Sequence, residues 1–175
     1  FKNIYKVEPA EIVTFNLLEE DLNPEKIKYW NIEGFVGNQN FDNEEFLSLL
    51  DDAVNIRVNA DVDVANFLSG GLDSTSIIKI QKKNNVNTNS FSVGYKDSKY
   101  DESIWFNEVA RKYNTNHRTK NIVNNFKLED ILNSVKVFDE PYADPSTVPS
   151  YILSKEISKY YKVAISGDGG DELFG

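Results

Sequence analysis

The sequence has no cysteine, no methionine and a single histidine, His117. Without cysteine the chain can form no disulfide, no thiolate zinc site and no cysteine nucleophile. One histidine leaves little from which to build a Ser–His pair or a multi-histidine metal site. Basic residues are also scarce: 19 Lys and Arg stand against 28 Asp and Glu, a formal charge of −9. Nucleic-acid binding rests mainly on Lys and Arg neutralising phosphates, so a polyanionic partner is disfavoured and no nucleic acid is expected. No apolar run approaches the length needed to cross a bilayer, and no signal-peptide pattern follows Phe1. No membrane partner is therefore expected, and the cytoplasm is the default location. What remains for metal chemistry is carboxylate, which suits hard cations such as Mg²⁺.

The composition is otherwise that of a globular domain, 175 residues with 40% hydrophobic and 27% charged, long enough for one sizeable core. Methionine is missing even at position 1, and the chain stops at Gly175 directly after a glycine-rich motif. It reads as a fragment of a longer protein.

The most informative stretch runs from Phe67 to Thr75 and contains Ser69-Gly70-Gly71-Leu72-Asp73-Ser74. Val62, Val64, Phe67 and Leu68 before it have the character of a buried parallel strand; Ile77, Ile78 and Ile80 after it supply an apolar helix face. The two glycines permit positive φ and leave room for a ligand at the main chain. A helix N-terminus beyond them offers unpaired N–H groups and partial positive charge, so an anion fits without a basic side chain. The plain structural alternative is a strand-to-helix turn that Asp73 or Ser74 caps. The stretch has no Gly-Lys-Ser/Thr ending of a Walker A loop, which disfavours γ-phosphate transfer.

Around this stretch the chain alternates. Residues 1–30 lean towards β structure and suggest a hairpin interrupted at Pro9, and a helix starts at Asp42 or Asn43. From Val62 the pattern predicts strand 62–68, helix 73–83, strand 88–94, helix 101–113, strand 117–122, helix 127–138, helix 147–160 and strand 162–166. Such alternation indicates an α/β fold, a parallel sheet with helices on both faces preceded by a short β segment. Ligands in such sheets collect at the carboxyl ends of the strands. Trp105 with Val109, and Ile131, Leu132 and Val135, read as core-facing helix positions; Asp101-Glu102 reads as a helix start; Pro141 to Pro149 reads as either a lid or a rigid loop.

Tyr161 to Ser166 predicts a second buried strand, ending in Gly167-Asp168-Gly169-Gly170-Asp171-Glu172. Three acidic residues beside glycines repel one another unless a cation compensates; the alternative is a solvated acidic turn. If the two strands are near neighbours, Asp73 and Asp171 can reach one Mg²⁺ while glycine amides hold phosphates.

Ser69 to Ser74 resembles the PP-loop of the N-type ATP pyrophosphatases, which cleave ATP between its α- and β-phosphates. Together with Phe91-Ser92-Val93-Gly94-Tyr95, Tyr100-Asp101-Glu102-Ser103, Asn116-His117, Asp139-Glu140-Pro141 and Ser166 to Gly175, it resembles the synthetase domain of glutamine-hydrolysing asparagine synthetases. The resemblance implies an adenine nucleotide alpha hydrolase-like fold. It further implies that residues 1–35 are the end of a glutaminase (Ntn-type) domain, 36–56 a linker and helix, and 57–175 a synthetase domain truncated at its C-terminal end. It implies ATP and Mg²⁺, with aspartate and ammonia from glutamine as further substrates. Ser69, Gly70, Gly71, Asp73 and Ser74 would bind pyrophosphate, Asp73 and Asp171 would hold Mg²⁺, Leu68 and Val93 would line the adenosine site, and Ser166 and Gly167 would touch ATP. Asp168 stands where many members carry Glu tied to the acyl-adenylate, so Asp168, Asp73 and Asp171 form the implied catalytic set. Asp63 and Ala65 depart from the family's usual Pro and Gly, with only local strand effects expected. His117 matches the family's histidine and is read as structural. A homodimer is among the arrangements open to the full-length protein. Relatives acting on other carboxylates, as in β-lactam formation, peptide cyclisation or sugar-acid amidation, and a non-catalytic ATP-binding module are the alternatives.

Overall fold

The computed structural model describes residues 2–18, 22–37, 41–95, 99, 101–122, 126–138 and 144–174. The chain divides into two units, Phe1–Asp42 and Asn43–Gly175.

The first unit is built on an antiparallel pair, β1 (Glu11–Thr14) and β2 (Glu25–Lys28). Ile12 faces Ile27 and Val13 faces Lys26 across the pair. The hairpin expected from sequence is present, with its strands starting just beyond Pro9 and Pro24, where the lack of a proline N–H no longer interrupts the ladder. A short 3-10 turn, Ile32–Phe35, follows, its N–H at Glu33 accepted by the Asn31 side chain at 3.1 Å.

The second unit contains β3 (Val64–Phe67), β4 (Asn89–Tyr95), β5 (Asn116–Ile122) and β6 (Val163–Ile165) in the order β5-β4-β3-β6, every pair parallel. Among the described residues six helices accompany them: α1 (Asn43–Val58), α2 (Leu72–Lys83), α3 (Ser103–Lys112), α4 (Leu128–Val137), α5 (Thr147–Ile157) and α6 (Gly170–Phe174). Alternate residues of a strand point to opposite faces, and each face of the sheet carries its own apolar cluster. On one face Leu68 packs with Ile78 of α2 and with Phe106 and Ala110 of α3. On the other, Ala65 and Phe91 pack with Ile157 of α5, with Phe67, Leu153 and Tyr161 against them. Helices thus cover both faces, as expected for a parallel sheet with helical crossovers. Full burial of a side chain such as Phe106 stabilises by about 1.5–3 kcal/mol.

A polar tie crosses the core. Asn66 on β3 and Gln81 on α2, both fully buried, exchange two hydrogen bonds of 3.0 and 2.6 Å, and Asn66 also donates to the Asn89 carbonyl at 3.0 Å. Every strong hydrogen-bonding group of the pair has a partner, as burial demands.

Several expectations are corrected. Val62 lies outside β3 and is exposed. The 162–166 strand shrinks to three residues, of which only Ile165 is buried, because β6 is an edge strand paired on one side. Trp105 is 61% exposed, and Ile131, Leu132 and Val135 are exposed as well. The helical stripe of α3 is rotated so that Phe106 and Ala110 enter the core, while Val109 packs at its margin; on α4 the buried position is Ser134, whose hydroxyl donates to the Ile131 carbonyl at 2.8 Å. The helix α6 was not anticipated.

Strand order decides where a ligand can sit. The chain leaves β3 for β4 and then β5 on one side, and returns to pair β6 with β3 on the other. This reversal at β3 is the switch point at which an open α/β sheet forms a crevice beyond its carboxyl ends.

Candidate functional site

Both glycine-rich loops emerge at that crevice. The first turns from β3 into α2 with Gly71 as N-cap, in extended conformation and with no side-chain capping hydrogen bond. Asp73 and Ser74 therefore do not cap the helix, and its first N–H groups stay available to an anion. The turn is braced from within. The Ser69 and Ser74 hydroxyls lie 3.0 Å apart, the Gly71 N–H donates to Ser69 Oγ at 3.1 Å, and the Ser69 N–H donates to Ser74 Oγ at 3.3 Å.

Gly70 has φ +88, and a Cβ there would meet the backbone of Trp105 and Phe106 at 2.7 Å. Its missing side chain serves the close approach of α3 more than it serves a ligand. Leu68 is buried in the core beneath the loop, with its carbonyl accepting from the Ser92 hydroxyl.

The second loop turns from β6 into α6. The Gly170 N–H donates to the Gly167 carbonyl at 3.3 Å, closing a four-residue turn in which Gly169 has φ +89. Positive φ at the third position is the requirement of a type II turn and explains a glycine there. Ser166 Oγ donates to Asp168 Oδ2 at 3.0 Å. The two loops touch: a Cβ on Gly167 would stand 2.8 Å from Asp73 Cβ, and one on Gly170 2.6 Å from Asp73 Cγ. The two glycines are what let the β6 loop close over Asp73.

A cleft of about 640 Å³ opens between these loops and the start of α5, within the roughly 300–1,000 Å³ range of small-molecule sites. Of the residues singled out from sequence, Ser69, Gly71, Asp73, Ser74, Ser166, Gly167, Asp168 and Asp171 line it, and Leu68, Gly70 and Val93 do not. Phe138, Asp144, Ser146, Thr147 and Ser150 also line it. Asp144, Ser146 and Thr147 fall in the Pro141 to Pro149 stretch that reads from sequence as either a lid or a rigid loop, but none of the five is singled out there, although Ser146-Thr147 ahead of an apolar run is a helix-start signal. Among the described residues, the cleft lining holds Asp73, Asp144, Asp168, Asp171 and Glu172 and no Lys, Arg or His. Its anion-binding capacity thus comes from helix ends, amides and hydroxyls, and its carboxylates call for a cation.

Among the described residues no group of three or more His, Cys, Asp or Glu is set to hold a metal ion. Asp73 and Asp171, hard oxygen donors on touching loops, fit the habit of Mg²⁺, which commonly takes one or two protein carboxylates and completes its shell with substrate phosphates and water.

His117 lies outside the cleft lining. Its Nδ1 is 2.9 Å from Ser90 Oγ, its Nε2 is 3.1 Å from Thr119 Oγ1, and its ring leans on Phe106 at 5.4 Å between centroids. Burial pushes its pKa below the ordinary value, opposed in part by hydrogen bonding with the Ser90 backbone, which suits a structural imidazole. Asp101 starts α3, accepting from the N–H groups of Tyr95 and Ser103 at 3.2 and 3.1 Å and from the Ser103 hydroxyl at 2.8 Å. Tyr100, Asp139, Glu140, Pro141 and Gly175 lie outside the described residues.

The family described as Asparagine synthase matches residues 45–175. The chain belongs to the asparagine synthase family. Two curated relatives from Bacillus subtilis are similar across it: asparagine synthetase [glutamine-hydrolyzing] 1, 37% identical over 71% of this chain and 20% of that protein, and asparagine synthetase [glutamine-hydrolyzing] 3, 31% identical over 100% of this chain and 31% of that protein. This member of the asparagine synthase family thus spans about a fifth to a third of the length of these relatives. Among solved structures, NMN synthetase from Francisella tularensis superposes with a TM-score of 0.51 at 18% identity, covering 77% of this chain and 58% of that one. The fold is accordingly of the adenine nucleotide alpha hydrolase-like α/β type, as the resemblance implied. No helix among the described residues is long and apolar enough to cross a membrane.

Proposed function

We propose that this asparagine synthase-family chain is the ATP-binding part of an enzyme that makes asparagine from aspartate, with glutamine as the source of ammonia. The observation that carries the reading is the contact of the β3–α2 and β6–α6 loops at Asp73, which joins a phosphate cradle to a carboxylate cluster. Ser69, Gly71, Ser74 and the first N–H groups of α2 hold the β- and γ-phosphates; Ser166 and Gly167 contact the nucleotide from the β6 side. Asp73 and Asp171 would hold Mg²⁺, which when bound neutralises charge on the pyrophosphate leaving group.

In the reaction, a substrate carboxylate oxygen attacks the α-phosphorus, the Pα–O–Pβ bond breaks and pyrophosphate leaves. Ammonia then attacks the acyl carbon, and the acyl C–O bond breaks to release AMP. Asp168, held by Ser166 at the cleft wall, is placed by this reading on the acyl-adenylate side. What the loops contribute is positioning and charge compensation.

The test uses the full-length protein with ATP, Mg²⁺, aspartate and ammonia. Aspartate-dependent release of pyrophosphate and AMP is expected, and its absence rejects aspartate as the acceptor. Asp73→Asn should lower the rate by about 100-fold or more; unchanged turnover would refute its role.

A further inference from the structure

Asp171 enters the cleft from an element that has little of its own to hold it there. None of the five residues of α6 is buried, and Leu173 and Phe174 are 66% and 62% exposed. A helix this short is unstable in isolation, because its nucleus fixes several dihedral angles for very few hydrogen bonds, so its place must come from contacts outside it. At its start that contact is the turn which the Gly170 N–H closes on the Gly167 carbonyl. At its end it is a ring pair: Phe174 meets Phe46 of α1 edge-on, with 5.1 Å between centroids and 73° between planes, a favoured aromatic geometry. Asp171 and Glu172, which line the cleft, lie between these two fastenings.

Phe46 is suited to be the fixed partner. It stands partly buried in the first turn of α1, and α1 is secured further along. Val54 is buried, and the end of α2 holds the same stretch, Asn84 Nδ2 donating to Asn55 Oδ1 at 2.8 Å and Lys83 Nζ pairing with Asp51 Oδ1 at 3.1 Å. Because α2 carries Asp73 in its own first turn, α1 refers α6 to the helix that bears the other loop. We propose that Phe46 is a positioning residue for the reaction: through Phe174 it seats α6 and so fixes Asp171 in the cleft, while Phe46 itself lies outside the cleft lining. Without the ring the glycine turn persists and the helix swings about it, which misplaces the carboxylate without opening the core. The inference rests on the proposed function, in which Asp171 serves the pyrophosphate end of the nucleotide.

Phe46→Ala, Phe46→Tyr, Phe174→Ala and the double alanine variant are compared with wild type in the full-length protein. The readouts are deuterium uptake by the amides of α6 and of α2 without nucleotide, and kcat and KM in pyrophosphate release with ATP, Mg²⁺, aspartate and ammonia. Phe46→Ala is expected to speed exchange in α6 by about 10-fold and to leave α2 within about twofold. Its kcat should fall by about 10-fold, with the KM for aspartate within about twofold. Phe46→Tyr, which keeps the ring, behaves as wild type, and the double variant is no worse than Phe46→Ala, since both changes remove one contact. Unchanged α6 exchange in Phe46→Ala, an equal rise in α2, an unchanged kcat or additive effects in the double variant overturn the inference while the proposed function stands. Wild-type protein that releases no pyrophosphate with aspartate overturns the proposed function, and α6 exchange still decides whether Phe46 seats the helix.

Discussion

A Cβ on Gly170 would lie 2.6 Å from the Cγ of Asp73. The second glycine-rich loop thus has its backbone against the side chain of the first, and the glycine is what keeps that carboxylate where it is. Gly170→Ala should push Asp73 aside while sparing the core, because Gly170 sits at the start of the short helix α6 at the cleft rim. A displacement on the ångström scale is expected to lower pyrophosphate release by about 100-fold, with the far-ultraviolet circular dichroism unchanged. Full activity in this variant would show that Asp73 tolerates displacement.

Gly70 and Gly169 have nearly the same φ, +88 and +89, but different surroundings. A side chain at Gly169 meets open space, whereas one at Gly70 meets the backbone of α3 at 2.7 Å. Gly169→Ala should cost about 1–2 kcal/mol, the strain of the left-handed conformation alone. Gly70→Ala should cost more, because α3 must also shift, drawing Phe106 out of the core. Denaturant midpoints of the two variants measure the difference, and equal midpoints would contradict it.

His117 predicts a pH dependence. Burial depresses its pKa from 6.5, so below that value the unfolded chain takes up the proton more readily than the folded one. The resulting stability is present above about pH 6.5 and is lost as the pH falls towards the folded-state pKa. Thermal midpoints of wild type and His117→Gln, followed from pH 7.5 to 5.0, should show a wild-type decline that the variant lacks. Parallel curves would mean the imidazole is protonated equally in both states.

Much of the site was legible in the chain because its determinants are local. Two glycines between an apolar strand and an apolar helix face specify a strand–turn–helix with open N–H groups, whatever surrounds them. Alternation of strand and helix patterns from Val62 onward announced a parallel sheet in the same way, since period and turn chemistry are properties of short segments. The helical stripes were read less well. Trp105 looked like the core residue of α3, and Phe106 holds that place, because one residue's rotation about a helix axis is decided by what the helix packs against.

The sequence by itself determined two acidic, glycine-rich strand ends and the anion-binding chemistry of the first. Only the tertiary structure decided that β6 returns beside β3, that Gly167 and Gly170 close upon Asp73, that Gly70 serves α3, and that the start of α5 forms the remaining wall. Those relations join residues some 35 to 100 positions apart. They follow from strand order and from the packing of helices on two sheet faces, which no local pattern in the chain encodes.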